Sequence, residues 1–133
     1  MTSVLLDTVG LVAVWDVDDQ WHAAADDANQ RIISRRQRAF TTTFILLECG
    51  NTSARHTFRA DVCALRQTLE LRQELIVPTE DDWKAAWVAY ERGDAGQAGI
   101  VDHVSFQVVR RLGITEAFTN DKHYQAAGFK VLF

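Results

Sequence analysis

Four acidic residues stand where the surrounding sequence gives a carboxylate an unusual environment. Asp7 directly follows the apolar run at residues 4–6, and Asp121 follows a second apolar stretch near the end of the chain. Glu48 and Asp102 lie inside apolar helical patterns, where a carboxylate that leaves water has to find a partner or become neutral. That partner is either an arginine or lysine in an ion pair, or a metal ion shared among the acids.

Gathered at one place, these carboxylates would form a site for a hard divalent cation. Two close carboxylates repel each other by about 4 kcal/mol at an effective dielectric constant of about 20, and a shared cation removes that cost. Oxygen ligands without Cys or His favour Mg²⁺ or Mn²⁺ over zinc. Such a cation activates water and offsets charge on a phosphate, so phosphodiester hydrolysis is the chemistry predicted. One acid alone is most often a solvated or capping side chain, and the prediction depends on all four.

An alternation of strands and helices has to position these acids. Helices are predicted from hydrophobic spacing and from Thr42 or Thr43 and Thr79 as N-caps, and the helix at 100–112 is apolar almost all round and therefore expected to be central. Short strands are predicted at residues 4–6, 40–43, 74–77, 114–119 and 130–133, and helices at 11–15, 21–36, from 44, at 59–71, from 80 and at 100–112. This order implies an α/β fold with a parallel sheet, in which ligands bind at the carboxyl ends of the strands.

Composition and charge limit the classes of protein to which this chain can belong. A length of 133 residues, 47% of them hydrophobic, fits one globular domain at 1–133, and a net charge of -4 argues against a broad basic surface for gripping nucleic acid. Apolar runs are too short to cross a bilayer and the first residues lack the basic region of a signal peptide, so a cytoplasmic location without membrane attachment is expected. Cys49 and Cys63 are expected to be buried free thiols.

The acids also belong to four short motifs. Residues 4–8 read VLLDT, 41–48 read TTTFILLE with Asn51 nearby, 101–106 read VDHVSF and 118–124 read FTNDKHY; successive acids are 41, 54 and 19 residues apart. In these residue types, their order and their spacing, the chain resembles the PIN-domain family along nearly its whole length. Within that family it is most similar to the VapC-type toxins of toxin–antitoxin pairs.

The resemblance implies a PIN-like three-layer sandwich, with a central parallel sheet of about five short strands flanked by helices. It implies an Mg²⁺- or Mn²⁺-dependent ribonuclease whose catalytic, metal-holding residues are Asp7, Glu48, Asp102 and Asp121. It further implies that Thr119 hydrogen-bonds within the site and that a homodimer binds a cognate antitoxin protein. Asp94, Thr119 and Asn51 are second-rank site residues, although the glycine-rich loop at 93–99 departs from the family pattern and leaves the role of Asp94 open.

Several other side chains have a functional and a plainer interpretation. Arg55 and Arg59, two and three turns beyond Glu48 if its helix continues, are the candidates for binding RNA phosphates, although helix ends also carry basic residues. His103 and His123 are assigned mainly to packing or the surface, with a proton-shuttle or phosphate-binding role as the alternative. The tryptophans are assigned to core or dimer packing rather than to base stacking.

Other functions remain as alternatives to the toxin nuclease. A housekeeping nuclease, or a PIN-like module that binds a partner without catalysis, would share most of these features. A receiver-type signalling domain also uses Asp at strand ends and Mg²⁺. It would need paired acids after the first strand and an acceptor Asp after the third, where this chain has Asp7 alone and residues 77–79 reading VPT.

Overall fold

The computed structural model describes residues 2–133, in which five strands alternate with seven helices. The strands are β1 (Ser3–Leu6), β2 (Arg38–Thr42), β3 (Leu75–Ile76), β4 (Glu116–Phe118) and β5 (Lys130–Val131). The helices are α1 (Thr8–Trp15), α2 (His22–Ser34), α3 (Thr43–Ser53), α4 (Arg59–Leu71), α5 (Glu80–Arg92), α6 (Ile100–Leu112) and α7 (Lys122–Ala126). The predicted α/β fold with a parallel five-stranded sheet flanked by helices is confirmed.

The sheet has the strand order β3-β2-β1-β4-β5, and every neighbouring pair is parallel. The central strand is β1, where Leu5 pairs with Phe40 on one side and Ala117 on the other. The chain builds outward from β1 to β3 and then returns to place β4 on the opposite side. Ligands of such sheets bind in the crevice that this reversal leaves at the carboxyl ends of the strands.

The core lies against the central strand. Val4, Leu5 and Leu6 are at most 6% exposed, as expected for a parallel strand covered on both faces. Helix α6 packs Val104 and Phe106 into the core at 1% exposure each, so the predicted central position of this helix is confirmed. Its apolar surface holds the first turn of the helix, and the Asp102 within it, close to the sheet.

The three consecutive threonines at the end of β2 fix where α3 begins. The hydroxyl of Thr41 donates to the carbonyl oxygen of Leu6 at 2.7 Å, which ties the end of β2 to the end of β1. The hydroxyl of Thr42 accepts from the backbone N–H of Ile45 at 3.0 Å, so Thr42 rather than Thr43 is the N-cap. Glu48 therefore follows at a fixed distance along a helix anchored beside β1.

A capping box begins α5, and an ion pair from the same residue joins α5 to α6. Thr79 and Asp82 form the capping box of α5, with each side chain bonded to the other's backbone N–H. The buried carboxylate of Asp82 also accepts from the Arg111 guanidinium at 2.7 Å, and this contact lowers the pKa of Asp82. The predicted N-cap at Thr79 is confirmed.

Four details of the sequence interpretation were wrong. Helix α3 ends at Ser53 and a turn separates it from α4, so the helix of Glu48 does not continue to Arg55 and Arg59. Helix α1 starts at Thr8 instead of residue 11, and α7 was not foreseen because its five residues are too few for a periodic pattern. Cys49 is buried as expected, but Cys63 lies on the exposed side of α4.

No helix within residues 2–133 combines the length and the apolar character that a membrane span requires.

Two glycines in helices should respond to alanine in opposite directions. A Cβ at Gly10 would lie 2.1 Å from the carbonyl oxygen of Phe118, because α1 packs directly on β4, whereas a Cβ at Gly50 would meet open space. We expect Gly10→Ala to lower the free energy of unfolding by about 3 kcal/mol through overpacking. Gly50→Ala should raise it by about 0.5–1 kcal/mol. Urea unfolding of both variants checks this, and a loss at Gly50 as large as that at Gly10 would contradict the packing argument.

Candidate active site

All four acids predicted from the sequence line one pocket of about 390 Å³ at the carboxyl end of β1. Asp7 comes from the end of β1, Glu48 from α3, Asp102 from the first turn of α6 and Asp121 from the start of α7. The other lining residues are Thr8, Val9, Asn51 and Thr52. The fold thus brings together carboxylates that are up to 114 positions apart in the chain, since 121 − 7 = 114.

Asp7 is the most enclosed of the four, at 3% exposure. Burial raises its pKa to about 7, with a further contribution from the charge of Asp102, while hydrogen bonds from Thr119 and Tyr124 act in the opposite direction. The phenol O–H of Tyr124 donates to Oδ1 of Asp7 at 3.1 Å. The sequence had attributed burial to Glu48 and Asp102 and a strand end to Asp7, whereas Asp7 is the buried one and the other two are partly exposed.

Asp102 occupies the first turn of α6, after the N-cap Gly99. Burial raises its pKa to about 6, and the nearby charges of Asp121 and Glu48 add to the shift. A backbone hydrogen bond at Gly99 lowers the pKa in part, as expected where a carboxylate meets the positive end of a helix. The start of α6 therefore stabilises the Asp102 carboxylate, while the negative charges of Asp121 and Glu48 destabilise it.

Glu48 is tied to the residue that follows Asp7. The hydroxyl of Thr8 donates to Oε1 of Glu48 at 2.9 Å, a contact that links α1 to α3 across the pocket. The next residue, Cys49, points into the core, where burial raises the pKa of its thiol to about 12. The small hydroxylated residue after Asp7 thus orients a carboxylate from a different element.

Asp121 and His123 contact each other at the start of α7. Oδ1 of Asp121 accepts from the backbone N–H of His123 at 2.9 Å, which caps α7, and the Nδ1 atom of the His123 ring lies 2.9 Å from the same oxygen. One candidate ligand atom each from Asp102, Asp121 and His123 lies within 4.8 Å of the other two. His123, which the sequence assigned mainly to packing or the surface, is part of this cluster.

Among the described residues, three of the four acids have no lysine or arginine partner. Within residues 2–133, no lysine or arginine lies within 4.0 Å of the carboxylate oxygens of Asp7, Glu48 or Asp102. Of the two partners left open by the sequence, an ion pair is therefore not formed. Carboxylate oxygens with one imidazole nitrogen are a donor set that divalent cations accept, so the residues present fit a metal ion.

The second-rank residues are placed differently from one another. Thr119 is fully buried, accepts from the backbone N–H of Asp121 at 3.1 Å and interacts with Asp7, and Asn51 lines the pocket. Asp94 is not among the lining residues: it pairs with Arg92 at 2.8 Å in the exposed loop after α5. Arg55 and Arg59 are exposed outside the pocket.

Two side chains escaped the sequence reasoning. Tyr124 and Thr8 were noted only as members of motifs, although a buried hydroxyl next to a carboxylate is a strong hydrogen-bond donor. His103, in contrast, packs as expected: it is 2% exposed, lies edge-on between Tyr90 and Phe106, and burial lowers the pKa of its ring. The sequence did offer a signal for Tyr124, since this residue follows His123 in the same motif as Asp121.

A larger cavity of about 630 Å³ lies among α1, α2, β2 and α4. Most of its lining residues are apolar, and Glu74 is the one acid among them. The volume of a cavity therefore does not identify the candidate active site in this fold. The convergence of carboxylates does.

Comparison with known proteins agrees with the geometry. No family model matches the chain. The chain is 28% identical over 131 residues to the 23S rRNA-specific endonuclease VapC20 of Mycobacterium tuberculosis, in strains CDC 1551 / Oshkosh and ATCC 25618 / H37Rv, with 95% of each protein covered. The crystal structure of that VapC20, described as a Sarcin-Ricin loop cleaving toxin, matches with a TM-score of 0.77 at 26% identity over 96% of both chains. FitAcB from Neisseria gonorrhoeae matches with a TM-score of 0.66 over 98% of this chain and 96% of its own, and at 13% identity it shows the fold alone.

Proposed function

We propose, since this chain is a PIN-domain protein of the VapC type, that it is a metal-dependent ribonuclease acting as a single domain over residues 1–133. The observation that carries the proposal is the pocket in which four carboxylates converge without a lysine or arginine among its lining residues. The metal ligands and catalytic residues are Asp7, Glu48, Asp102 and Asp121. The RNA-cleaving relative supports RNA as the substrate class.

The cation is Mg²⁺ or Mn²⁺, in keeping with a site built mainly from carboxylates. When bound, it supplies Lewis acidity that activates water and offsets negative charge on the phosphate. The acids alone would repel an RNA phosphate, so the pocket is expected to bind substrate only in its loaded state. This electrostatic argument makes RNA cleavage dependent on the metal.

The protein's own contribution is to hold the carboxylates in place before RNA arrives. Tyr124 and Thr119 fix Asp7, and Thr8 fixes Glu48 through a 2.9 Å hydrogen bond. Side chains held in this way lose little freedom when a cation binds, which favours affinity. Arg55 and Arg59, both exposed on the α3–α4 connection and the start of α4, are proposed to contact phosphates further along the RNA.

The partners proposed are an antitoxin protein and a second copy of this chain, with the cytoplasm as the place of action. The toxin relative supports an antitoxin, because a nuclease that damages its own cell's RNA needs a neutralising partner. The homodimer is supported by the exposed aromatic face of α5. There Trp83, Trp87 and Tyr90 are each more than 40% exposed, so they are not core residues in a single chain.

A receiver-type signalling domain is disfavoured by topology. Doubly wound receivers have the strand order 2-1-3-4-5, whereas this sheet has the order 3-2-1-4-5. The short β3 also ends next to Val77 and Pro78, where a receiver would need its acceptor Asp. A PIN-like module without catalysis would not need to keep four mutually repelling carboxylates around one pocket.

The test is cleavage of labelled RNA with added Mg²⁺ or Mn²⁺ by the wild type and by Asp102→Asn. We expect the variant to cleave at least about tenfold more slowly, because it loses a carboxylate ligand. Asp61→Asn is the matched control, since Asp61 occupies the first turn of α4 but is exposed and outside the pocket. Equal cleavage by the wild type and Asp102→Asn would contradict the proposed site.

A further inference from the structure

One imidazole lies close to two of the four carboxylates, Asp102 and Asp121. His123 lies in the first turn of α7, two residues after Asp121, and its ring belongs to the cluster within 4.8 Å that includes Asp102. It is partly buried, so its ring is restrained without being enclosed. An imidazole at this place changes which cations the pocket prefers, because the other donors are oxygens.

The side-chain contact between His123 and Asp121 involves one of the two ring nitrogens. Its Nδ1 atom lies 2.9 Å from Oδ1 of Asp121, which already accepts the backbone N–H of the same histidine. A neutral imidazole carries one N–H and one lone pair, so an N–H on Nδ1 facing the carboxylate leaves the lone pair on Nε2. A carboxylate that holds one ring nitrogen while the other coordinates a metal is a recurrent arrangement at metal sites.

We infer that His123 is a direct nitrogen ligand of the cation and that the site therefore prefers Mn²⁺ to Mg²⁺. The inference rests on the proposed function, since it concerns the same site. Imidazole suits transition metals, whereas Mg²⁺ takes oxygen ligands and gives up its waters reluctantly. A neutral nitrogen donor also adds a ligand without adding negative charge to a pocket in which acids already repel one another.

Electron spin-echo spectroscopy of the full chain loaded with Mn²⁺ tests the inference directly. A coordinated imidazole gives a ¹⁴N modulation, which should appear in the wild type and should change when the protein is made with ¹⁵N-histidine. It should vanish in His123→Gln and persist in His56→Gln, a matched control at an exposed histidine between α3 and α4. Because the isotope exchange needs no substitution, it stays informative even where His123→Gln fails to fold.

Binding titrations provide a second readout. His123→Gln should weaken Mn²⁺ binding at least about tenfold and Mg²⁺ binding by a smaller factor, so the preference for Mn²⁺ narrows. Bound Mn²⁺ without ¹⁴N modulation in the wild type would overturn the inference and leave the proposed ribonuclease intact. A wild type that binds neither cation would overturn both.

Discussion

Replacing Asp7 with Asn should abolish RNA cleavage and at the same time make the metal-free protein more stable at pH 8. The carboxylate is 3% exposed and its pKa is raised to about 7, chiefly by burial, so at pH 8 the folded protein carries a charge that it disfavours. Asparagine keeps the shape and removes the charge. We expect a gain on the order of 2 kcal/mol, less than the pKa shift alone would give because the new amide N–H needs an acceptor.

The charge of Asp7 that destabilises the metal-free protein is needed for activity, because it binds the cation. Asp7 is the proposed ligand at the centre of the pocket, and losing even an outer partner of a ligand costs roughly 10–100-fold in affinity or activity at metal sites. We therefore expect cleavage to fall by at least about a hundredfold. The measurements are urea unfolding with EDTA at pH 8 and cleavage of labelled RNA with Mn²⁺. Asp26→Asn, at an exposed position of α2, should change neither.

A variant that kept cleavage, or that lost stability in EDTA, would show that the buried charge of Asp7 neither destabilises the metal-free fold nor serves catalysis. A loss of stability in exchange for activity is common where a site has to keep like charges together. The carboxylates bind a cation strongly, and without the cation their repulsion lowers the free energy of unfolding. Tyr124 and Thr119 reduce that cost by hydrogen-bonding the carboxylate, but they do not remove it.

Much of the fold was predictable because its signals are local. The apolar run before Asp7 indicated a buried strand, and the threonine run before Glu48 indicated a strand end with a helix cap, which the contacts of Thr41 and Thr42 explain. Alternating strands and helices then implied a parallel sheet. The order in which the strands lie, with β1 between β2 and β4, depends on long-range packing that no single segment encodes.

What the sequence could not reveal was which acid would be the most buried and which polar groups would reach it. The hydroxyl of Tyr124 meets Asp7 across 117 positions, so neither residue's neighbours predict the contact. The break between α3 and α4 removed Arg55 and Arg59 from the helix of Glu48, because the residues between them form turns instead of continuing it. The motifs identified the acids, and the packing decided their environments.

In the metal-free protein, stability should fall as the pH rises from about 4 to about 7. The pKa of Asp7 is raised to about 7 in the folded state from its ordinary value of 3.8, so between these values the folded state binds more protons than the unfolded state. Stability falls with pH wherever that holds, and three pKa units correspond to about 4 kcal/mol. Asp102, with its pKa raised to about 6, adds in the same direction but less, since it is partly exposed to solvent. The two carboxylates interact, so the loss should follow one broad transition.

A bound cation should oppose this slope. It competes with protons for the same oxygens, so it binds weakly at pH 5 and strongly at pH 8, where it adds about 2.7 kcal/mol at a concentration a hundredfold above its Kd. Urea unfolding at pH 5 and pH 8, with EDTA or with excess Mn²⁺, measures the four combinations. Asp7→Asn should flatten the EDTA profile and lose most of the Mn²⁺ effect. Metal-free stability that rose between pH 5 and pH 8 would contradict the buried, unpaired state of Asp7, since a carboxylate stabilised by ion pairing gives that opposite slope.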